Sequence, residues 1–354
     1  MLCYLASLFQ SSFSALNVVH YVSFRAIMGL MTAFGGSVLL GGRFIAFSRK
    51  AFQNKARPFT PASHVEKGST PTMGGIFFLL VAIFNVFLWC DLWQPEPWIL
   101  CLTLLLFGGI GLMDDLYKVC YKNGISARLK FSLQLLCALI VVLVWIWLKN
   151  PSGAICVPLL KHVNPELGCL FIPWLLFVIV GTSNGVNLTD GLDGLATGVL
   201  LLNVAFFSGV AYLAGHRGFA AYLQIPFTDC SETVVVGGVL FGSLLGFLWF
   251  NAHPAQIFMG DVGSLSLGAA LAIMAIMTKQ ELLLPIAGGI FVIEAMSVIL
   301  QIASIKLFGK KILKMAPIHH HFEMLGWKES KVTMRFGIIT LILCLLAAVM
   351  LKIR

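Results

Sequence analysis

The sequence predicts an all-α, polytopic integral membrane protein of about ten transmembrane helices, and three observations carry that prediction. Hydrophobic residues make up 59% of the 354 positions, charged residues only 11%, and mean hydropathy is +0.93. The apolar residues form continuous runs, not the short alternating stretches of a β-barrel. Basic residues are concentrated in alternate connections between those runs, the pattern that orients helices across a bilayer.

The runs fall at 22–45, 73–93, 98–113, 129–148, 170–183, 194–214, 233–250, 265–278, 282–307 and 333–351. A helix needs roughly 20 apolar residues to cross the hydrocarbon layer. The third, fifth and eighth runs are short by that measure and are expected either to borrow flanking residues or to lie partly inside the bundle. No internal repeat, heptad or low-complexity tract divides the chain, so one transmembrane domain over 1–354 is expected. Residues 1–18 carry no Lys or Arg, and no cleavable signal pattern is expected there.

Seventeen Lys and Arg residues lie in the first, third and ninth connections, against six on the opposite face. This asymmetry places both termini outside and the three basic connections in the cytoplasm. The same residues generate the net charge of +9. Anionic lipid or a phosphorylated substrate accounts for it, without nucleic acid. The nine cysteines show no CxxC pair and no zinc-type spacing. Cys156 and Cys169 share an outer loop, yet a structural disulfide is not expected.

Five aspartates stand against this lipid-like background, all on the cytoplasmic side. Asp114 and Asp115 end the third span, at the unfavourable pole of its helix dipole. One acid there is an ordinary helix end tied to Lys118 or Lys122. Two adjacent acids resist joint ionisation, so a divalent cation or a proton between them is the better reading. The fifth connection reads Asn184-Gly185-Val186-Asn187-Leu188-Thr189-Asp190-Gly191-Leu192-Asp193-Gly194. A helix N-cap explains one of its aspartates; it leaves the second, the asparagines and the glycines unexplained. Glycines allow close backbone approach to a ligand, and the following helix offers N–H donors to phosphate.

The seventh connection runs from Asn251 through Phe258 and Gly260-Asp261 to Ser264. Alone, Asp261 is equally well read as an N-cap and Phe258 as a packed aromatic. Their conjunction with two other acidic loops on one face favours a site. In the ninth connection, Pro317-Ile318-His319-His320-His321-Phe322-Glu323 holds three consecutive histidines. They cannot all point one way on a helix, which argues against a three-ligand zinc site and for hydrogen-bond donation to phosphate. The first connection contributes Lys67 and Thr72 ahead of the second helix, an anion-binding arrangement. Lys118 and Lys130 add positive charge beside Asp114 and Asp115. Glu294 and Gln301 share a helical face, with bundle-internal hydrogen bonding as the ordinary reading and Gln301 near enough to the cytoplasm to reach the site.

These blocks together closely resemble the phospho-N-acetylmuramoyl-pentapeptide-transferase (translocase I) family of the polyprenyl-phosphate N-acetylhexosamine-1-phosphate transferase superfamily. The resemblance covers essentially the whole chain, and its markers are 67–75, Asp114-Asp115, 187–194, 251–264 and 317–323. The histidine block favours the muramoyl-pentapeptide branch. The resemblance implies transfer of phospho-MurNAc-pentapeptide from UDP-MurNAc-pentapeptide to undecaprenyl phosphate. The products are UMP and lipid I, an intermediate of peptidoglycan synthesis, and the reaction uses Mg²⁺. It implies a bacterial inner-membrane enzyme, a homodimer, with its active site facing the cytoplasm. Carried onto this chain, Asp114, Asp115 and Asp261 become catalytic acids and metal ligands, Asp261 foremost. Asn187, Asp190, Gly191, Leu192, Asp193, Asn251 and Phe258 take the uridine side, and Lys67, Thr72, Lys118 and Lys130 the phosphates. Gln301, His319, His320 and His321 border the substrate. The residues fit both a direct displacement and a covalent two-step route through Asp261.

Three other readings have less support. A related transferase using a simpler UDP-N-acetylhexosamine has no need of the histidine block. A prenyltransferase would need a second aspartate-rich run. An ion-coupled transporter would place its acids near the bilayer midplane, often within inverted repeats.

Overall fold

A computed structural model describes residues 1–9, 14–51, 70–121, 123–160 and 163–352. The helices in chain order are α1 (Leu2–Phe9), α2 (Val22–Ala51), α3 (Gly74–Trp89), α4 (Pro95–Tyr121), α5 (Ala127–Lys149), α6 (Phe171–Thr189) and α7 (Leu195–Ala214). They continue with α8 (Arg217–Leu223), α9 (Ser231–Asn251), α10 (Gly260–Met277), α11 (Leu284–Ala287), α12 (Gly289–Phe308), α13 (Ile318–Met324) and α14 (Glu329–Lys352). No strand occurs among the described residues, only an isolated bridge between Ala154 and Glu166. The all-α polytopic architecture expected from the sequence is the one observed.

Among the described residues, nine helices are long and apolar enough to cross a membrane, and α3 is a tenth, shorter apolar helix. Each corresponds to one of the ten apolar runs. The runs that looked short in sequence lengthen as helices: α4 has 27 residues, α6 has 19 and α10 has 18. Their extra turns are polar segments, and these carry the acidic motifs. The second run behaves in the opposite way. It was expected over 73–93, yet α3 stops at Trp89 after 16 residues. The cause is a buried ion pair. Arg25 meets Glu232 at 2.7 Å and also donates to the Trp89 carbonyl, while the Asp91 amide donates to Glu232 at 2.9 Å. The backbone groups that would continue the helix are already spent.

The bundle is built around α10, whose residues from Val262 to Met277 are all buried. It packs against α3, α4, α6 and α7, while α2 lies along α9 and α14 along α7. Inside a bilayer, helix association depends on close packing and not on expelling water, so small residues at contacts matter most. Two glycines show this. A Cβ on Gly75 would fall on the backbone of Gly263, and one on Gly111 would fall on the carbonyl of Asp261. Both contacts bring α3 and α4 onto the first turn of α10.

Many apolar side chains point away from the core, among them Leu105, Phe177, Trp249, Leu307 and Leu341. Such a surface belongs in lipid. No disulfide joins Cys156, which is buried, to Cys169, which is exposed.

Gly111→Ala is expected to destabilise the bundle by about 1–3 kcal/mol through forced overpacking at α10. Gly109→Ala, two residues away with nothing within 4 Å of the added methyl, should leave stability unchanged. Thermal unfolding of the two variants in detergent, side by side, checks the expectation.

Candidate active site

Three chain segments meet at one end of the bundle. α4 delivers Asp114 and Asp115 from its C-terminal turns, both buried. α10 delivers Asp261 from its first turn. The segment 70–75 is stitched beside them by backbone hydrogen bonds: Phe258 N to Pro71 O, Gly74 N to Phe258 O and Gly75 N to Met259 O, at 2.8–2.9 Å. The three carboxylates offer oxygens within 4.8 Å of one another. Their approach is possible because Gly111 and Gly260 carry no side chain. At Gly260, φ is +75°, and a Cβ would lie 2.5 Å from Asp115 Oδ2 and 3.3 Å from the Thr72 hydroxyl.

Two lysines hold these acids together. Lys118 Nζ lies 2.6 Å from Asp114, 3.4 Å from Asp115 and 2.9 Å from Asp261. Lys130, from the first turn of α5, pairs with Asp261 and lies 3.4 Å from Asp114. Backbone amides add further support. Ile125 N donates to Asp114 at 2.9 Å, and Val262 N donates to Asp115 at 3.3 Å. Because Asp114 and Asp115 are buried, each of these attractions is stronger than at an open surface. The bland reading of Asp114 and Asp115 as a helix end tied to Lys118 captures one contact and misses the partner helix. The N-cap reading of Asp261 fails, because its carboxylate goes to the lysines and no side chain caps α10.

Beside this centre lies the turn between α6 and α7. Asn187 accepts a 2.8 Å hydrogen bond from Ser264 of α10. Asp190 accepts from the Gly260 amide; desolvation, reinforced by the charges of Asp261 and Asp115, raises its pKa to about 7. Neither Asp190 nor Asp193 caps α7, whose N-cap is Gly194 without a side-chain bond. Asp193 instead accepts from the Ala255 amide at 3.0 Å and faces His253 at 3.2 Å. Glu329 of α14 receives the Asp193 amide at 2.6 Å. Leu192 is buried beneath the turn.

The remaining expected residues divide between site and support. Asn251 is buried; it accepts from Thr197 at 2.8 Å and donates to the Ile257 carbonyl at 2.9 Å. Its amide shapes the 251–260 loop. Phe258 is half-buried, its backbone paired with the segment 70–75. Gln301 departs from its expected part as a substrate contact. Its Oε1 accepts from the Ile312 and Leu313 amides, and its Nε2 donates to the Leu313 carbonyl, so the side chain anchors the ninth connection. Lys67 lies outside the described residues.

The three histidines diverge, as expected of consecutive positions on helix α13. His319 turns inward to Gly191 and Glu294, His320 pairs with Glu323 at 2.7 Å, and His321 accepts from the Lys314 amide at 3.1 Å. Sequence reading missed His253, Ser264 and Glu329. His253 and Ser264 lie inside the 251–264 block without a part of their own assigned there, and Glu329 acts across more than a hundred residues of chain.

With a raised pKa, Asp190 holds its proton in the folded protein across a window where the unfolded chain has lost it. The stability that Asp190 contributes therefore falls as pH rises from about 4 toward 7 and levels off above that. Asp190→Asn should flatten this dependence. The check is the thermal midpoint of both proteins at about pH 5 and pH 8 in magnesium-free detergent buffer.

The glycosyl transferase family 4 profile matches residues 97–279, just over half of the chain. That stretch contains all three clustered carboxylates, both lysines and the two acidic turns; it ends before Gln301 and the histidines. The chain, a polytopic helical bundle with its acid–lysine centre inside the matched region, belongs to glycosyl transferase family 4 and is a phosphoglycosyl transferase of that family.

Proposed function

We propose that this protein transfers phospho-MurNAc-pentapeptide from UDP-MurNAc-pentapeptide to undecaprenyl phosphate, forming lipid I and UMP in peptidoglycan synthesis. The single observation that carries the reading is the convergence of Asp114, Asp115 and Asp261 with Lys118 and Lys130 beside the Asn187–Asp193 turn. Within the family, the histidine block at 317–323 is what favours the muramoyl-pentapeptide donor. The basic connections favour a site at the cytoplasmic face of a bacterial inner membrane, where nucleotide-linked sugar and lipid phosphate meet. A homodimer in that membrane and a single domain over 1–354 belong to the same reading.

The donor set for a metal is entirely carboxylate oxygen, which suits Mg²⁺. Asp261, Asp114 and Asp115 would hold it, and bound there it would supply neutralisation of diphosphate charge. Lys118 and Lys130 bring two further positive charges to the same place, and the Thr72 hydroxyl stands next to Gly260 as a donor to phosphate oxygen.

The lipid phosphate attacks the phosphorus attached to the sugar. A new P–O bond forms to the lipid, and the P–O bond to UMP breaks. A phosphate monoester has a second pKa of about 6, so the nucleophile is mostly dianionic at neutral pH. Asp114 takes a residual proton or orients the attacking oxygen. The work of the site is therefore positioning and charge stabilisation. Asn187, Asp190, Gly191, Leu192 and Phe258 form the nucleoside side on a frame that Asp193 and Asn251 hold through their own hydrogen bonds, with His319, His320 and His321 bordering the sugar–phosphate.

The test is release of UMP, with lipid I identified by mass, from purified protein given UDP-MurNAc-pentapeptide, undecaprenyl phosphate and Mg²⁺. UDP-N-acetylglucosamine in place of the donor should give no product; turnover with it alone would move the assignment to a related hexosamine transferase. Chelation of the metal should abolish turnover. Asp115→Asn and Asp261→Asn should each lower activity at least about 100-fold while the protein remains folded in the membrane, the scale expected for loss of a charge-stabilising group. Retained turnover in either variant would count against the assigned centre.

A further inference from the structure

The turn after α6 is held from outside the family-matched stretch, by the first turn of α14. Side chain and main chain of Asp193 are both engaged by other segments. The carboxylate accepts from the Ala255 amide at 3.0 Å and faces His253 at 3.2 Å, both in the 251–260 loop. The backbone N–H donates to Glu329 Oε1 at 2.6 Å, and the carbonyl accepts from the Thr333 hydroxyl at 3.3 Å. Glu329 and Thr333 are four residues apart and so share one face of α14. Together they grip both ends of one residue's main chain.

The use of the Thr333 hydroxyl is out of the ordinary for a helix. A threonine there commonly donates back to the carbonyl four residues earlier. Thr103, Thr182, Thr189 and Thr340 all do so in this bundle, at 2.7–2.8 Å. Thr333, in the same helix as Thr340, donates to Asp193 instead. The Glu329 side chain is only 10% exposed and lies 3.6 Å from His253 Nδ1, between the turn and the 251–260 loop.

Two such bonds could serve to hold α14 or to hold the turn, and the packing decides between them. α14 has buried residues along its length from Val332 to Leu351 and packs against α7 and α11. Its place does not depend on its first turn. The turn at 190–194 lies between the end of α6 and the start of α7, with Gly194 at φ +73°. It belongs to neither helix and is the part that the two bonds restrain. A loop already fixed in its bound shape loses less freedom when a ligand arrives, and the difference appears as affinity.

We propose that Glu329 and Thr333 are positioning residues that fix the 190–194 turn through the main chain of Asp193 and thereby set the affinity for the nucleotide. The inference rests on the transferase reading and adds to it a part for α14, a helix that contributes nothing else to the nucleoside side.

UDP binding to the purified protein in detergent, measured by calorimetry, tests this. Thr333→Val nearly keeps the side-chain shape and removes the donor; it should bind UDP roughly fivefold more weakly, the scale of one hydrogen bond. Thr333→Ser keeps the donor and should recover most of that affinity. Glu329→Leu should weaken binding about tenfold, and Glu329→Gln, still an acceptor, should recover most of it. In turnover, KM for the nucleotide donor should rise in Thr333→Val while KM for undecaprenyl phosphate holds. Wild-type affinity in folded Thr333→Val and Glu329→Leu proteins overturns the proposal. So does a Thr333→Ser protein as weak as Thr333→Val, since that loss traces to packing. Thermal midpoints in the same buffer establish folding, and if Glu329→Leu does not fold, the two Thr333 variants decide. A wild type that binds no UDP removes the nucleotide reading and this proposal with it; unchanged binding in the variants removes this proposal alone.

Discussion

Carboxylates crowded together in a poorly hydrated space repel one another, and this fold is arranged around a way of keeping three of them close. Lys118 reaches all three acids and Lys130 reaches two of them. The backbone makes that reach possible. Gly111 lets α4 settle onto the first turn of α10, Gly75 does the same for α3, and the segment 70–75 is sewn to 258–259. Removing either lysine would add to the buried negative charge that lacks a partner, which is strongly destabilising.

Around that centre, polar side chains are used in two ways. Some are fully spent on building loops. Asn251 closes the 251–260 loop, Gln301 holds 312–313, and Asp193 with Glu329 ties α14 to the turn after α6. Others keep an end with no hydrogen-bond partner among the described residues: Thr72 stands at Gly260, Asp190 accepts a backbone amide, and His319 has Nε2 against Gly191. The first set makes a rigid frame, and the second is what a ligand can meet. A site held on packed helices by such a frame loses little freedom when it binds.

The helices were legible in the sequence because lipid imposes a long apolar run on each one. The end of α3 was not, since it is set by Arg25 of α2 and Glu232 of α9, two residues brought together only by folding. The aspartates were legible for a related reason: charge in an apolar chain stands out. Their partners were legible only in part. Lys118 lies one helical turn from Asp114 and was visible as a neighbour, whereas its contact with Asp261 spans the α4–α10 interface. Asn251 and Gln301 show the limit of motif reading. Side chains of a binding type in a binding position spend their amides on the protein itself, and no local pattern separates that use from recognition.

The contact between Gly75 and Gly263 has a consequence for how this region can vary. Where main chain touches main chain, nothing can be trimmed away, and every available substitution adds atoms to a space that is already full. Drift at such a point is blocked in every direction. A glycine held constant there across relatives would record the closeness of two helices, and would say nothing about chemistry, even though it stands within a few residues of the acids.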